Sequence, residues 1–153
     1  MKLDSDINDN ENKNEDKKEN KPEKIDFTGC IFFSKYQVVK KITEGSFSQI
    51  YQLINEDGEY FCGKIEPKNS PQPLLDHESK IMNYLFGTKI PGIKLYGQSW
   101  DYNILIMELL GKSLDYYIGK IERFSVKTTA MLAYQIIEIL EYIHTRHIIH
   151  RDI

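Results

Sequence analysis

Three stretches of strand-forming residues, separated by short turns, constrain the fold of this chain more than any other feature. Tyr36–Ile42 alternates in polarity, Ser48–Ile54 is rich in β-favouring residues, and Glu59–Glu66 follows a turn that contains Asp57-Gly58. Asp-Gly between two such stretches predicts a hairpin with a type I′ turn, which needs positive φ at both central residues. The folded part of the chain should therefore begin with three antiparallel strands.

Helices and two further strands are predicted after this sheet. The first helix carries apolar residues at helical spacing and should end near Gly87. Ser113 and Ser125 are expected to begin the next two helices, Ser113 as an N-cap. The predicted elements are, in order, a loop Pro67–Pro73, a helix Leu74–Phe86, strands Ile93–Trp100 and Tyr102–Leu109, a short helix after Ser113, and a helix Ser125–His144.

This order predicts an α+β fold. A small antiparallel sheet of five strands should carry one helix, and the remaining helices should begin a second, helical region. The first helix should bury Leu74, Leu75, Ile81, Met82, Leu85 and Phe86. The last helix should present an apolar face formed by Val126, Ala130, Ala133, Ile137, Leu140 and Ile143.

The N-terminal residues differ in composition from the rest. Residues 1–24 are almost entirely Lys, Asp, Glu and Asn, so they cannot bury enough apolar surface to offset the entropy of ordering. We expect a disordered tail, either an interaction segment or a solvated extension without a specific role. Together with a lead-in it would occupy residues 1–35.

Composition excludes several classes of protein. The formal net charge of −3 argues against a nucleic-acid-binding surface, and no apolar stretch is long enough to span a bilayer. Cys30 and Cys62 form neither a disulfide framework nor a metal-binding cluster. We expect an intracellular protein, cytoplasmic or nuclear, that does not bind membranes or nucleic acid; its oligomeric state is left open.

Four candidate residues lie on or beside the predicted sheet and at the end of the chain. Gly45, in the first turn, could let backbone N–H groups approach a phosphate, or could simply form a hairpin. Lys64, within an apolar strand, could pair with Glu78 on the following helix, or could extend to the sheet edge. Asp152, in "HIIHRDI", could accept a proton at a cleft, or could cap a turn.

His144, His147 and His150 recur at intervals of three residues, a spacing that invites a zinc interpretation. The spacing runs past the helix end and lacks a fourth ligand, so we do not favour zinc.

Taken together and in this order, these signals resemble the protein kinase arrangement. The resemblance covers about Tyr36 to Ile153 and is close to the casein kinase I branch, through "EGSFSQIY", "HESKI", "IPGIKLYGQSWDYNILIMELLGKSL" and "YIHTRHIIHRDI". It implies a kinase-like N-terminal lobe at residues 36–107, in which the predicted helix after Pro73 corresponds to helix C of kinases. A hinge at 108–111 and the first helices of an incomplete C-terminal lobe at 112–153 follow.

The resemblance implies a serine/threonine kinase that uses ATP, with Mg²⁺ for the full family domain. Lys64 would hold the α- and β-phosphates and Glu78 would orient it, while Asp152 would be the catalytic base and Arg151 structural. The remaining ATP-binding positions implied are Gly45 and Ser46 over the phosphates, Ile42 and Ile50 on the adenine faces, Met107 as gatekeeper, and Glu108 and Leu110 at the hinge.

The sequence departs from the family pattern in the loop and on the third strand. Thr43 and Ser48 stand where the family has glycine, and Cys62 replaces the usual small residue two positions before Lys64. Gly63 replaces a β-branched residue and should loosen the strand.

The Asn and the "DFG" Asp that hold magnesium in the family are absent from these residues. We expect a truncated kinase sequence with weak or no catalysis, and the coding DNA beyond Ile153 would test this. The alternatives are a non-catalytic module that binds nucleotide or a partner, and another phosphotransferase of the same fold. "HESKI" and "MELLG" argue against the latter. The protein substrates stay open.

Overall fold

The computed structural model describes residues 25–87 and 89–151, which form one antiparallel sheet and three helices. The predicted polar tail at 1–24 and the candidate base Asp152 lie outside the described residues. The strands are β1 (Ile31–Phe32), β2 (Tyr36–Glu44), β3 (Gln49–Ile54), β4 (Tyr60–Pro67), β5 (Ile93–Ser99) and β6 (Tyr102–Glu108). The helices are α1 (Leu75–Tyr84), α2 (Leu114–Ile121) and α3 (Val126–His144).

The sheet has the order β1-β2-β3-β4-β6-β5, and all neighbours are antiparallel. Helix α1 contacts β5 and β6. The predicted α+β class is confirmed, with its five strands and the first helix in the predicted order. The structure adds a sixth strand, the two-residue β1, which is too short to give a sequence pattern.

The hairpin between β3 and β4 forms, but its predicted turn type is wrong. Asn55 O accepts a hydrogen bond from Gly58 N (3.1 Å), and φ is +81° at Gly58. Asp57 is not among the described residues with positive φ, as a type I′ turn would require. The Asn55 side chain also bonds Glu59, accepting from its N–H and donating to its carboxylate. The turn therefore spans residues 55–59, with glycine at its single left-handed position.

The hydrophobic core lies on one face of the sheet. Tyr51 and Leu53 of β3, Ile65 of β4, and Ile104 and Ile106 of β6 are fully buried there. Alternation along each strand sends every second side chain to this face.

The lead-in before β2, for which we predicted no element, contributes to the same core. Phe27 and Phe32 are buried in it, and the Tyr51 hydroxyl donates to Asp26 and accepts from the Phe27 N–H. No periodic pattern marks these residues in the sequence, because they are mostly outside regular secondary structure.

Gly63 does not loosen β4, contrary to our expectation. The strand is continuous, and Gly63 pairs with Tyr51 on one side and Ile106 on the other. A Cβ atom at Gly63 would lie 2.7 Å from Leu53 Cδ1. Leucine on the neighbouring strand therefore fills the space that a side chain at position 63 would need.

The first helix is shorter than predicted, and only part of its predicted apolar side is buried. Its buried residues are Leu75 and Ser79, with Leu85 buried just beyond its end, whereas Leu74 and Phe86 are 56% and 76% exposed. These two lie outside the helix, so helical spacing does not apply to them. The helix ends at Tyr84, before the predicted stop at Gly87, and the Leu85 N–H bonds Ile81 O.

The two later helices begin as predicted. Ser113 and Ser125 are the N-caps, and their hydroxyls accept from the N–H groups of Tyr116 and Thr128. The predicted apolar face of α3 is buried only at Ile143, and Val126 is 88% exposed.

The C-terminal half of α3 is attached to the segment after α1. The Tyr142 hydroxyl donates to the carbonyls of Leu85 and Phe86, both at 3.2 Å, and Lys89 pairs with Glu138 at 3.0 Å. This attachment joins the helical region to the sheet.

Candidate active site

The face of the sheet opposite the core carries three of the predicted site residues, Ile50, Lys64 and Met107. Ile50 pairs with Lys64, and Lys64 pairs with Leu105, so these three side chains form one row across β3, β4 and β6. Cys62 and Met107 form part of the next row. The arrangement places one cation within a half-buried, mostly apolar surface.

Lys64 and Glu78 form an ion pair across the sheet and helix α1. Lys64 Nζ lies 2.6 Å from Glu78 Oε2, and the two side chains are 25% and 35% exposed. The predicted meeting of these residues is therefore present in the structure. Because both partners are charged, this hydrogen bond is stronger than one between neutral groups. The pair fixes the ammonium group beside the apolar rows.

The turn between β2 and β3 is closed by its own backbone. Gly45 N donates to Ser48 O (2.8 Å), so this N–H is used inside the turn. A Cβ at Gly45 would make only ordinary contacts, the nearest at 3.8 Å from Ser48 O. A phosphate that accepts a backbone N–H from this turn would therefore accept it from a residue beyond Gly45, beginning with the predicted Ser46.

The two predicted adenine-facing residues lie on either side of this turn. Ile50 is half-buried, whereas Ile42 is exposed and lies at an irregularity of β2 between Lys41 and Thr43. Such an irregularity increases the local twist of a strand.

The end of β6 supplies the predicted hinge. Met107 is half-buried opposite Cys62, and the Glu108 N–H donates to Gly92 O (3.0 Å). A Cβ at Gly92 would lie 2.9 Å from Glu108 Oε1, the end of a flexible side chain that would have to move aside. Leu110 lies beyond the strand and is exposed. A cavity of about 340 Å³ is lined by residues of this region, including Phe61, Glu108 and Leu110.

Helix α3 ends in a turn that leads to the "HRD" tripeptide. Ile148 N donates to Ile143 O and His147 N to His144 O, a Schellman arrangement with His147 at the left-handed position (φ +62°). Arg151 is exposed, also with positive φ (+67°). Asp152, the predicted catalytic base, lies outside the described residues, so its role stays a prediction.

The family model of the protein kinase domain matches residues 36–153, more than half of the chain. The chain belongs to the protein kinase family. A protein kinase domain implies phosphotransferase activity, with ATP and Mg²⁺ as its usual cofactors and proteins as its substrates. The described sheet and helices correspond to the N-terminal lobe of such a kinase and the first helices of its C-terminal lobe.

Two findings concern metal ions and membranes in this kinase. Across residues 25–87 and 89–151, no group of three His, Cys, Asp or Glu side chains is placed to hold a metal ion. None of the helices in the described part of the chain has the length and apolar character needed to cross a bilayer.

Burial and the charge of Lys64 both affect the pKa of the Cys62 thiol. Burial raises the pKa of the Cys62 thiol, and the positive charge of Lys64 opposes part of this rise. The thiol is therefore protonated at neutral pH and presents an uncharged, apolar surface beside Met107.

Sequence reasoning missed Glu66, a buried carboxylate two residues after Lys64. Its two oxygens accept hydrogen bonds from the backbone N–H groups of Leu74 (3.0 Å) and Leu75 (3.2 Å). A detectable signal existed, because the first helix of the kinase begins without Ser, Thr, Asp or Asn at its N-cap.

Proposed function

We propose that this chain is the nucleotide-binding part of a serine/threonine protein kinase of casein kinase I type. The observation that carries the proposal is the ion pair of Lys64 on a central strand with Glu78 on α1. The side chains of this site are chemically suited to ATP. Ile50 and Met107 offer apolar surface for the adenine base, and Lys64 offers a cation for the phosphates. The casein kinase I assignment is supported by the hinge sequence "DYNILIMELLGKSL".

Each site residue has a proposed role. Lys64 binds the α- and β-phosphates, and Glu78 orients its ammonium group. Ile42 and Ile50 pack on the adenine ring, Met107 is the gatekeeper, and Glu108 and Leu110 present hinge backbone groups to the base edge. Gly45 and Ser46 cover the phosphates, and Asp152 accepts the proton of a Ser or Thr hydroxyl on the protein substrate.

We propose that the 153 residues by themselves bind nucleotide without efficient phosphate transfer. They include no Asn or "DFG" Asp after Asp152 to hold magnesium ions against the phosphates. Magnesium supplies neutralisation of phosphate charge in a kinase site, worth a few kcal/mol, or roughly a hundredfold or more in affinity. ATP should therefore bind about as weakly as adenosine, with Lys64 offsetting the phosphate charge.

The alternative function is a non-catalytic module that binds a partner. The observation that favours it is the exposed apolar side of α3, which includes Val126 and Ile137. An exposed apolar stripe of this kind is typical of a contact surface. This candidate is compatible with weak nucleotide binding.

Calorimetric titration with ATP and with adenosine, each with and without magnesium, tests the proposal. We expect similar weak affinities for both ligands, little effect of magnesium, and loss of ATP but not adenosine affinity in Lys64→Met. Lys41→Met is the matched control, since Lys41 pairs with Tyr51 and thus lies on the opposite face of the sheet.

Two outcomes of this titration would contradict the proposal in different ways. Absence of binding by either ligand would leave the partner-binding alternative. Tight binding that depends on magnesium would show that other carboxylates supply the metal site.

A further inference from the structure

Glu66 is the buried carboxylate of the sheet and lies against the beginning of helix α1. The residue is 3% exposed, and each of its carboxylate oxygens accepts one backbone N–H group, from Leu74 and from Leu75. Burying a carboxylate is costly unless it is hydrogen-bonded, so the two bonds account for its presence in this position.

Helix α1 has no cap of its own at this end. The N-cap residue is Leu74, and no side-chain hydrogen bond from it caps the helix. The first N–H groups of a helix have no partners within the helix, and its N-terminus carries partial positive charge. Glu66 therefore supplies from strand β4 both the acceptors and the negative charge that a capping residue would normally supply.

The same strand holds the helix at a second point, one turn further along. Lys64 and Glu66 are two residues apart on β4 and so lie on the same face. Glu78 N donates to Leu74 O (2.8 Å), which ties Glu78 directly to the residue that Glu66 binds. A shift of the first turn of α1 would therefore carry Glu78 away from Lys64.

We propose that Glu66 is a positioning residue, which fixes the first turn of α1 so that Glu78 meets Lys64. It touches neither nucleotide nor the reacting atoms and acts through Glu78. The effect on nucleotide binding rests on the proposed function, whereas the effect on the helix does not.

The ratio of the ATP and adenosine dissociation constants measures this role, because only ATP needs the oriented Lys64 ammonium group. We expect a ratio near one in the wild-type chain and a rise of about tenfold in Glu66→Ala, equivalent to about 1.4 kcal/mol. Glu78→Gln should raise the ratio equally, and the double variant should raise it no further. Glu66→Gln should give an intermediate value, since its amide oxygen keeps one of the two acceptors.

Asp76→Ala is the matched control for this experiment. Asp76 is an exposed carboxylate in the same first turn and pairs with Lys80. Its removal should change the ratio by less than about twofold, because a surface pair contributes little. An unchanged ratio in Glu66→Ala, or effects of Glu66→Ala and Glu78→Gln that multiply, would overturn the proposal.

Hydrogen exchange without ligand separates failure of this inference from failure of the proposed function. If the wild-type chain binds neither nucleotide, the proposed function fails and the exchange rates of α1 still decide the role of Glu66. Faster exchange confined to α1 in Glu66→Ala and Glu66→Gln, with β3 and β4 unchanged and Asp76→Ala like wild type, supports positioning. Exchange unchanged in α1, or raised equally throughout the sheet, refutes it.

Discussion

At the scale of single residues, Gly63 shows that a neighbouring side chain can require glycine at a position where the backbone angle φ does not. Its missing side chain leaves room for Leu53, whose Cδ1 and Cγ would lie 2.7 and 3.1 Å from a Cβ at position 63. Both residues are buried, Leu53 on β3 and Gly63 on β4. Their packing supports the register of β4 between β3 and β6.

Gly63→Ala should therefore destabilise the fold. Overpacking a buried site by one methyl group costs about 1–3 kcal/mol in the free energy of unfolding, measurable by urea denaturation. Gly111→Ala is the control, because no atom lies within 4 Å of the added methyl group. A smaller residue at position 53, in Leu53→Val/Gly63→Ala, should recover part of the loss, and equal stability of Gly63→Ala and wild type would contradict the packing argument.

The positive charge of Lys64 affects the pKa of the neighbouring Cys62 thiol, which can be measured. Burial raises the pKa of Cys62, and Lys64 lowers it in part. Lys64→Met removes the cation and leaves Glu78 unpaired, and both changes disfavour the thiolate. The midpoint of the pH profile for iodoacetamide alkylation of Cys62 should therefore move to higher pH.

This alkylation is best measured in a Cys30→Ser background, so that Cys62 is the reporting thiol. Lys41→Met on the other face of the sheet should leave the midpoint unchanged. A midpoint that falls in Lys64→Met would mean that Lys64 does not lie close to Cys62 in solution.

At the scale of elements, helix α3 is held mainly through its C-terminal half. Tyr142 reaches the carbonyls of Leu85 and Phe86, and the Arg146 guanidinium stacks on the Tyr142 ring at 3.7 Å from its centroid. The Lys89–Glu138 pair adds a charged contact one turn earlier.

The Lys89–Glu138 pair should make this attachment depend on pH. The hydrogen bond from Lys89 holds the pKa of Glu138 below its usual value of 4.5. Since the folded pKa is the lowered one, the stabilisation is present above pH 4.5 and is lost as the pH falls through the folded pKa. The effect should be small, because the pair is exposed to solvent.

Comparison of Glu138→Gln with wild type by urea denaturation at pH 7 and pH 3 measures this contribution. The variant should be less stable at pH 7 and equal to wild type at pH 3. Glu141→Gln, which removes another exposed carboxylate from the same helix, should show no such difference between the two pH values. A deficit that persists at pH 3 would assign the effect to packing and not to charge.

At the scale of the whole molecule, the sheet has a complete core whereas the helical region does not. Ten buried residues form the sheet cluster, while α3 buries Ile143. Large apolar side chains stay exposed on the first half of α3, among them Met131, Tyr134 and Ile137. Such a surface favours association when no other part of a protein covers it.

Ile137→Glu should therefore reduce self-association of the 153-residue chain in sedimentation velocity experiments. The thermal unfolding of the sheet should not change, since Ile137 is outside its core. Gln135→Glu, an exposed position on the same helix, adds the same negative group and should have a smaller effect. Equal suppression by both variants would indicate a general charge effect.

The sequence alone determined five of the six strands, the three helices and their order, and it proposed the pairing of Lys64 with Glu78 that the structure contains. Strand alternation, Ser113, Ser125 and Gly58 are local signals that depend on residues within a few positions, so they could be recognised without a structure. The family match at residues 36–153 agrees with the kinase resemblance, which rests on the glycine-loop, helix C, hinge and "HRD" stretches of the sequence.

Only the tertiary structure decided which side chains pack against the two faces of the sheet. Phe27 and Phe32 pack into the sheet core, Leu53 takes the space beside Gly63, and Glu66 caps α1. Each of these contacts joins residues from different elements. Local propensity cannot encode such contacts, because they depend on the distance and register between strands and helix. For the same reason the buried side of α1 was predicted only in part: Leu75 and Leu85 are buried as expected, whereas Leu74 and Phe86, just outside the helix, are exposed.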